Sequence, residues 1–137
     1  MSKKQDRFSQ LASKLVARMS REVVCEAYGI SHTGILSPAR GGAALARARQ
    51  TAMYLSHVVG QMTLNEVAEQ FGRDRSTVSH ACINMEDSRD SPIIDMQLEY
   101  IEQRLRDRIR EAERAGLFKQ CQAPECKSMP WPISASH

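Results

Sequence analysis

Between Thr63 and Met85 the chain reads TLNEVAEQFGRDRSTVSHACINM, and its apolar positions fall into two short helical registers on either side of a glycine. Leu64, Val67, Ala68 and Phe71 recur at i, i+3, i+4 and i+7, one stripe of a helix with 3.6 residues per turn. Thr63 followed three residues later by Glu66 is a capping box, in which each side chain meets a backbone amide that the first turn leaves without a partner. The first helix is therefore expected to start at Thr63 or Leu64. Gly72 stands just past the stripe, where a left-handed residue ends a helix without a Cβ penalty. Asp74 is the expected N-cap of a second helix, in which Val78, Ala81, Cys82 and Met85 repeat the same spacing. At ~100° per residue, the direction opposite that second stripe belongs to Ser76 and His80, flanked by Thr77, Ser79 and Asn84. A small residue where two helices touch (Ala68), a turn glycine (Gly72) and a buried branched residue (Val78) make the pattern of a helix-turn-helix.

The same periodicity organises the rest of the chain. Leu11, Leu15, Ala17, Met19, Val23 and Ala27 predict a packing helix from about Phe8 to Tyr28, ending at Gly29, with Lys3, Lys4, Arg7, Lys14, Arg18 and Arg21 solvated or near phosphate. Leu45, Ala48, Ala52, Leu55 and Val59 form the stripe of a long helix that stops at Gly60, with Arg47, Arg49 and Gln50 off the stripe. Pro92 opens a last helix running to about Ala115, with Ile94, Leu98, Ile101 and Leu105 at spacings of 4, 3 and 4. That seam fits either packing within the chain, the favoured reading because a two-heptad pattern is short, or a homodimer contact through 93–115. Arg104, Arg106, Arg108, Arg110 and Arg114 alternate with Asp and Glu, the pattern of a solvated face. The fold class is all-α: a small helical domain with a helix-turn-helix and helical extensions at both ends. The expected division is an N-terminal helical extension at 1–19, the helix-turn-helix domain at 20–90, a C-terminal helix at 91–116 and a flexible tail at 117–137.

The outer face of the second short helix changes the picture. A helix that only faces water is usually built from Glu, Lys and Gln, strong helix formers, whereas Ser76, Thr77, Ser79 and His80 are weaker formers that suit groove and phosphate contacts. Composition agrees with one such domain: 137 residues, 42% apolar and 26% charged, are enough for a single core but not two. Aromatics are only 5% of the chain, so small aliphatics and seven methionines must fill the interior. The net charge is +3 but uneven: six positive and three negative groups in 1–39, five and three in 40–80, and seven and nine in 81–120. The basic side is thus the side of the helix-turn-helix, and the last helix is mildly acidic.

At this point ALARARQTAMYL followed by TLNEVAEQFGRDRSTVSHAC resembles the C-terminal DNA-binding domain of the bacterial chromosomal replication initiators of the DnaA family, over about Ser20 to Asp87. The anchors are the Arg-x-Arg-Gln that opens the long helix and the Arg-Asp-x-[Ser/Thr]-Thr-Val-x-His-Ala run. The resemblance implies that the second run enters the major groove of a short duplex site while Arg47 reaches the adjacent minor groove. It places Asp74, Arg75, Ser76, Thr77 and His80 over bases and phosphates, and Leu64 and Asn65 near the backbone; Arg49, Arg73 and Ser79 complete the candidate DNA-contacting set. For Arg49 a structural role stands level with phosphate contact. The chain also departs from the family: one glycine, Gly72, where two are common, Arg75 in place of a usual histidine, Asn65 in place of a usual proline, and Ser79 where a larger apolar residue is common. The segment Pro38 to Ala44, PARGGAA, lacks most of the basic residues usual there. An arginine at position 75 favours a guanine O6/N7 edge, so the preferred sequence can differ from the standard box.

Several function classes fall away. The 137 residues hold no Gly-x-x-x-x-Gly-Lys-[Ser/Thr] loop and no room for an ATPase domain, so the chain is not expected to melt an origin by itself. Ser76 and His80 can be drawn as nucleophile and base, but on an exposed convex helix without oxyanion donors or a pocket they fit no enzyme. Cys25 and Cys82 lie on apolar stripes, and Cys121 and Cys126 sit in a Pro-rich tail without zinc spacing, so neither metal nor other cofactor is expected. No apolar leader or span is present, which points to a cytoplasmic, nucleoid-associated protein. Expected partners are double-stranded DNA and a replication initiator or the transcription machinery; the alternative is a protein-interaction module on the same scaffold.

Overall fold

Three of the other helices pack on the long second helix. In the computed structural model, which describes residues 3–31, 35 and 42–120, the helices are α1 (Lys3–Tyr28), α2 (Gly42–Val58), α3 (Leu64–Phe71), α4 (Arg75–Ser88), α5 (Pro92–Arg114) and α6 (Leu117–Gln120). No strand occurs among the described residues, and no helix there is long and apolar enough to cross a membrane. The fold is all-α, as the periodicity predicts.

Helix α2 buries Ala48 and then every residue from Thr51 to Ser56, not only the predicted stripe. The reason is that α1, α3 and α4 all pack on it, so the stretch from Thr51 to Ser56 is covered on every side. Its polar side chains are satisfied in place: Thr51 Oγ1 donates to the Arg47 carbonyl at 2.8 Å and Ser56 Oγ to the Ala52 carbonyl at 2.9 Å. Tyr28 of α1 joins Thr51 through its hydroxyl at 3.0 Å.

Helix α1 starts at Lys3, five residues before the expected Phe8, and ends at Gly29 with φ +68° as predicted. Its buried face is rotated from the expected stripe. Ser13, Val16, Ala17, Met19, Ser20, Val23 and Val24 are buried, while Leu11 and Ala27 are exposed and Leu15 is half-buried. The serines misled the pattern: Ser20 is fully buried because Oγ returns its proton to the Val16 carbonyl at 3.0 Å. Position 19/20, the expected domain boundary, falls inside this uninterrupted helix.

Pro92 opens α5 at its first turn, and Leu98, Ile101, Leu105 and Ala112 are buried. The helix lies on α1, tied by Arg104 to Glu26 at 3.0 Å and by Arg108 to Glu22. The Leu98, Ile101 and Leu105 seam is thus used within the chain, while Ile93, Met96 and Tyr100 on the same helix stay exposed. The arginines are also not a simply solvated face: two cross to α1, while Arg106 and Arg110 pair locally with Glu102 and Asp107. Gly116 at φ +78° ends the run, and α6 turns Leu117 and Phe118 onto the core, so the first residues of the expected tail are helical. Cys121 and Cys126, the rest of the tail, and the Pro38 to Gly41 part of the PARGGAA segment lie outside the described residues.

Candidate nucleic-acid interface

Local chemistry sets the pair of short helices. Thr63 N–H donates to Glu66 Oε1 at 2.8 Å and Glu66 N–H to Thr63 Oγ1 at 3.1 Å, the capping box as predicted. Upstream, His57 Nδ1 donates to the Met62 carbonyl at 2.8 Å and Met62 N–H to the Ser56 carbonyl at 3.1 Å, which fixes the entry into α3. At the other end Gly72 takes φ +64°, its N–H reaches the Glu69 carbonyl at 3.4 Å, and the Arg73 N–H reaches the Ala68 carbonyl at 3.0 Å. These two bonds are a Schellman closure, so a single glycine completes the turn. Val67 and Phe71 of α3 and Val78, Ala81 and Met85 of α4 are buried together in the core.

Asp74 has the extended backbone of an N-cap, at φ −70° and ψ 152°, but its carboxylate makes no capping bond. That corrects the expectation of a side-chain cap. The α4 amides are left uncapped by it, and the carboxylate is exposed at the positive end of the helix dipole. Arg75, Ser76, Thr77 and His80 are all exposed on the first two turns, with no side-chain hydrogen bond or ion pair among the described residues; Ser79 is half-buried. The exposed row continues to Ile83 and Asn84. Ile83, an isoleucine 54% exposed, was absent from the sequence-derived set, although an apolar residue lying off its helix's stripe was the available signal.

The other candidates separate into two groups. Leu64 is half-buried and Asn65 exposed at the start of α3. Arg73 lies along the turn, with Nη1 3.4 Å from the Gly72 carbonyl. Arg49 donates from Nε to the Ile35 carbonyl at 2.8 Å, a structural contact within the domain. Burial first, and the charge of Arg73 second, push the Arg49 pKa down, so these two guanidiniums are close enough to repel. Arg47 is exposed and stands at the edge of a groove of about 900 Å³ lined by Tyr28, Ile30, Ala44, Ile93 and Tyr100.

Two arginines have roles that sequence did not give them. Arg21, expected to be solvated or near phosphate, is half-buried with its guanidinium 5.2 Å from the Phe71 ring centroid, and its Nη1 is buried without a hydrogen bond. Desolvation pushes its pKa down. Arg89, at the end of α4, donates to Asp95 and Glu102 at 2.6 Å each and to the Tyr54 hydroxyl at 3.1 Å, and Tyr54 in turn donates to Glu86 at 2.7 Å. Burial works against the Arg89 charge, yet the bonds to Glu102, Asp95 and Tyr54 outweigh it and raise its pKa above the ordinary value. Among the described residues no group of three or more His, Cys, Asp or Glu is placed to hold a metal ion.

A capped helix, a one-glycine turn and a second helix with one face in the core and a polar face in solvent define a helix-turn-helix domain. The family model for the bacterial dnaA protein helix-turn-helix matches residues 21–84, and this segment belongs to that family. The chromosomal replication initiator protein DnaA of Caulobacter sp. (strain K31) is 36% identical over 88 residues, 63% of this chain and 18% of the relative. Its counterpart in Synechococcus sp. (strain JA-2-3B'a(2-13)) is 32% identical over 95 residues, 68% of this chain and 20% of the relative. The chain thus spans about a fifth of the length of these relatives.

Proposed function

We propose that the protein binds double-stranded DNA sequence-specifically through α3 and α4, at sites resembling the DnaA box, and acts in control of replication initiation or transcription. The observation that carries this reading is the row Arg75, Ser76, Thr77 and His80, exposed and without protein partners among the described residues, on a helix whose opposite face is locked into the core of a DnaA-type domain. In the major groove, Arg75 suits a guanine O6/N7 edge, Asp74 a cytosine amino group, and Ser76, Thr77 and His80 polar base edges or phosphates. Arg47 takes the minor-groove role that the resemblance implies. Asn65 at the start of α3 suits the phosphate backbone, where helix N-terminal amides also bind anions. A phosphate beside Arg49 and Arg73 would offset their mutual repulsion, and Leu64 and Ser79 shape the edges of the footprint. The similarity to chromosomal replication initiator proteins supports a link to replication. This binding requires no cofactor and no catalysis, and it places the protein at the nucleoid in the cytoplasm, beside an initiator or the transcription machinery.

The test is selection of bound duplexes from a random pool at moderate salt, with Arg47→Ala and His80→Ala run alongside. Enrichment of one motif, weakened in both variants, is the expected result, with affinity falling steeply as salt rises. No enrichment, or binding indifferent to salt, overturns the DNA reading and moves attention to protein partners for the exposed Ile93, Met96 and Tyr100.

A further inference from the structure

Resting on that DNA reading, we propose that Ile83 is a specificity residue that reads thymine, by packing against the C5-methyl group in the major groove. Ile83 is the one large apolar side chain exposed on α4; the others among the described residues lie on α1, α2 and α5. It sits seven residues after Ser76 and three after His80, so at ~100° per residue it lies within roughly 20° of the Ser76 direction and about 10 Å further along the helix. Ser76, His80 and Ile83 therefore form one exposed row, opposite Val78, Ala81 and Met85, which are buried. A row of that length matches about three base-pair steps of ~3.4 Å.

The chemistry of the row is polar except at this position. A β-branched residue is a weaker helix former than the Lys, Glu or Gln usual on a solvent face, and Ile83 contributes nothing to the core. In the major groove the only apolar feature that distinguishes one base from the others is the thymine methyl. The hydroxyl and imidazole groups at the start of α4 have hydrogen-bonding edges to meet, and the sec-butyl side chain of Ile83 has this methyl. Contact with it excludes cytosine at the same place, because cytosine lacks the methyl and presents an amino donor.

The experiment uses the full chain and the duplex enriched by the selection above, with each thymine replaced singly by deoxyuridine, which removes the methyl and keeps every hydrogen-bonding edge. At one position the wild-type protein is expected to lose about four-fold in affinity, the worth of one buried methyl-sized group. Ile83→Ser binds the parent duplex more weakly by a similar factor and is insensitive to deoxyuridine at that same position, with its thermal unfolding unchanged. Ile83→Val retains part of the sensitivity, which a merely structural role for the side chain would not predict. Three results overturn the proposal while leaving DNA binding intact: an enriched site without thymine, wild-type affinity indifferent to every replacement, or a sensitive position that stays fully sensitive in Ile83→Ser. Failure to enrich any duplex removes the DNA reading itself.

Discussion

Replacing Arg89 with methionine tests how α4 is held against the rest of the domain. The substitution keeps most of the side chain's length and removes three contacts that link α2, α4 and α5, to Asp95, Glu102 and Tyr54. Their exposures decide the magnitude. Glu102 has only 11% of its side chain exposed and keeps Arg106 at 3.9 Å as its remaining ion-pair partner, whereas Asp95 is 44% exposed and can rehydrate. Breaking a fully buried pair costs about 3–5 kcal/mol, and the partial access of water here brings the expected loss to roughly 2–3 kcal/mol. That corresponds to a fall in melting temperature of roughly 10 °C for a domain of this size. The assay is thermal and urea unfolding at neutral pH of Arg89→Met, Glu102→Gln and the double variant. Most of the Arg89→Met loss is the penalty of a stranded carboxylate, so adding Glu102→Gln is expected to recover more than half of it. A loss below about 0.5 kcal/mol, or a double variant no more stable than Arg89→Met, refutes this account.

Two glycines should respond differently to alanine. At Gly60 a Cβ would collide with Val16 Cγ1 and come within 2.7 Å of the Ser56 carbonyl oxygen, so Gly60→Ala is expected to cost about 2–3 kcal/mol. At Gly72 nothing lies within 4 Å and only the left-handed backbone resists, so the cost is about 1 kcal/mol; equal urea midpoints would contradict this ordering. The Tyr54 pKa is pushed up to about 12, first by burial and then by its bond to Glu86, with Arg89 opposing. Above an unfolded-state pKa of about 10 the unfolded chain has lost a proton that the folded one keeps, so stability is complete below pH 10 and declines towards 12. An absorbance titration at 295 nm should show one late tyrosine, missing in Tyr54→Phe. Burial likewise pushes up the Cys25 and Cys82 thiols, so peptide mapping after brief alkylation should find Cys25, which is 3% exposed, modified only once urea is added.

The helix-turn-helix was readable from sequence because everything that makes it is local: a capping box spanning three residues, a Schellman glycine and two apolar stripes. What sequence missed depends on distant partners. The buried face of α1 includes Ser13 and Ser20, which look like surface until their helix is placed against α2. Thr51 and Ser56 are hidden for the same reason, because α1, α3 and α4 cover that stretch of α2. Arg89 is 35 residues from Tyr54 and 13 from Glu102, so no periodicity reveals that the three meet. Arg21 reads as a surface cation until Phe71, fifty residues later, comes beneath it. At the interface, the polarity of the outer row of α4 was legible, while the failure of Asp74 to cap is a side-chain choice that residue type alone does not determine.

The packing of α5 on α1 separates two kinds of unit that are easily taken as one. The helix-turn-helix matched by the family model ends at residue 84, but the body that keeps α1 out of water reaches Phe118. A segment swap or gene fusion cut at residue 84 would carry the whole reading head and leave its support behind, uncovering the α1 surface that Leu98, Ile101 and Leu105 help to seal, stranding Glu26 without its arginines and leaving Glu22 with Arg18 alone. The reading head and its mechanical support thus have different borders in this protein, and transplanting its exposed α4 row into another context requires the second border, not the first.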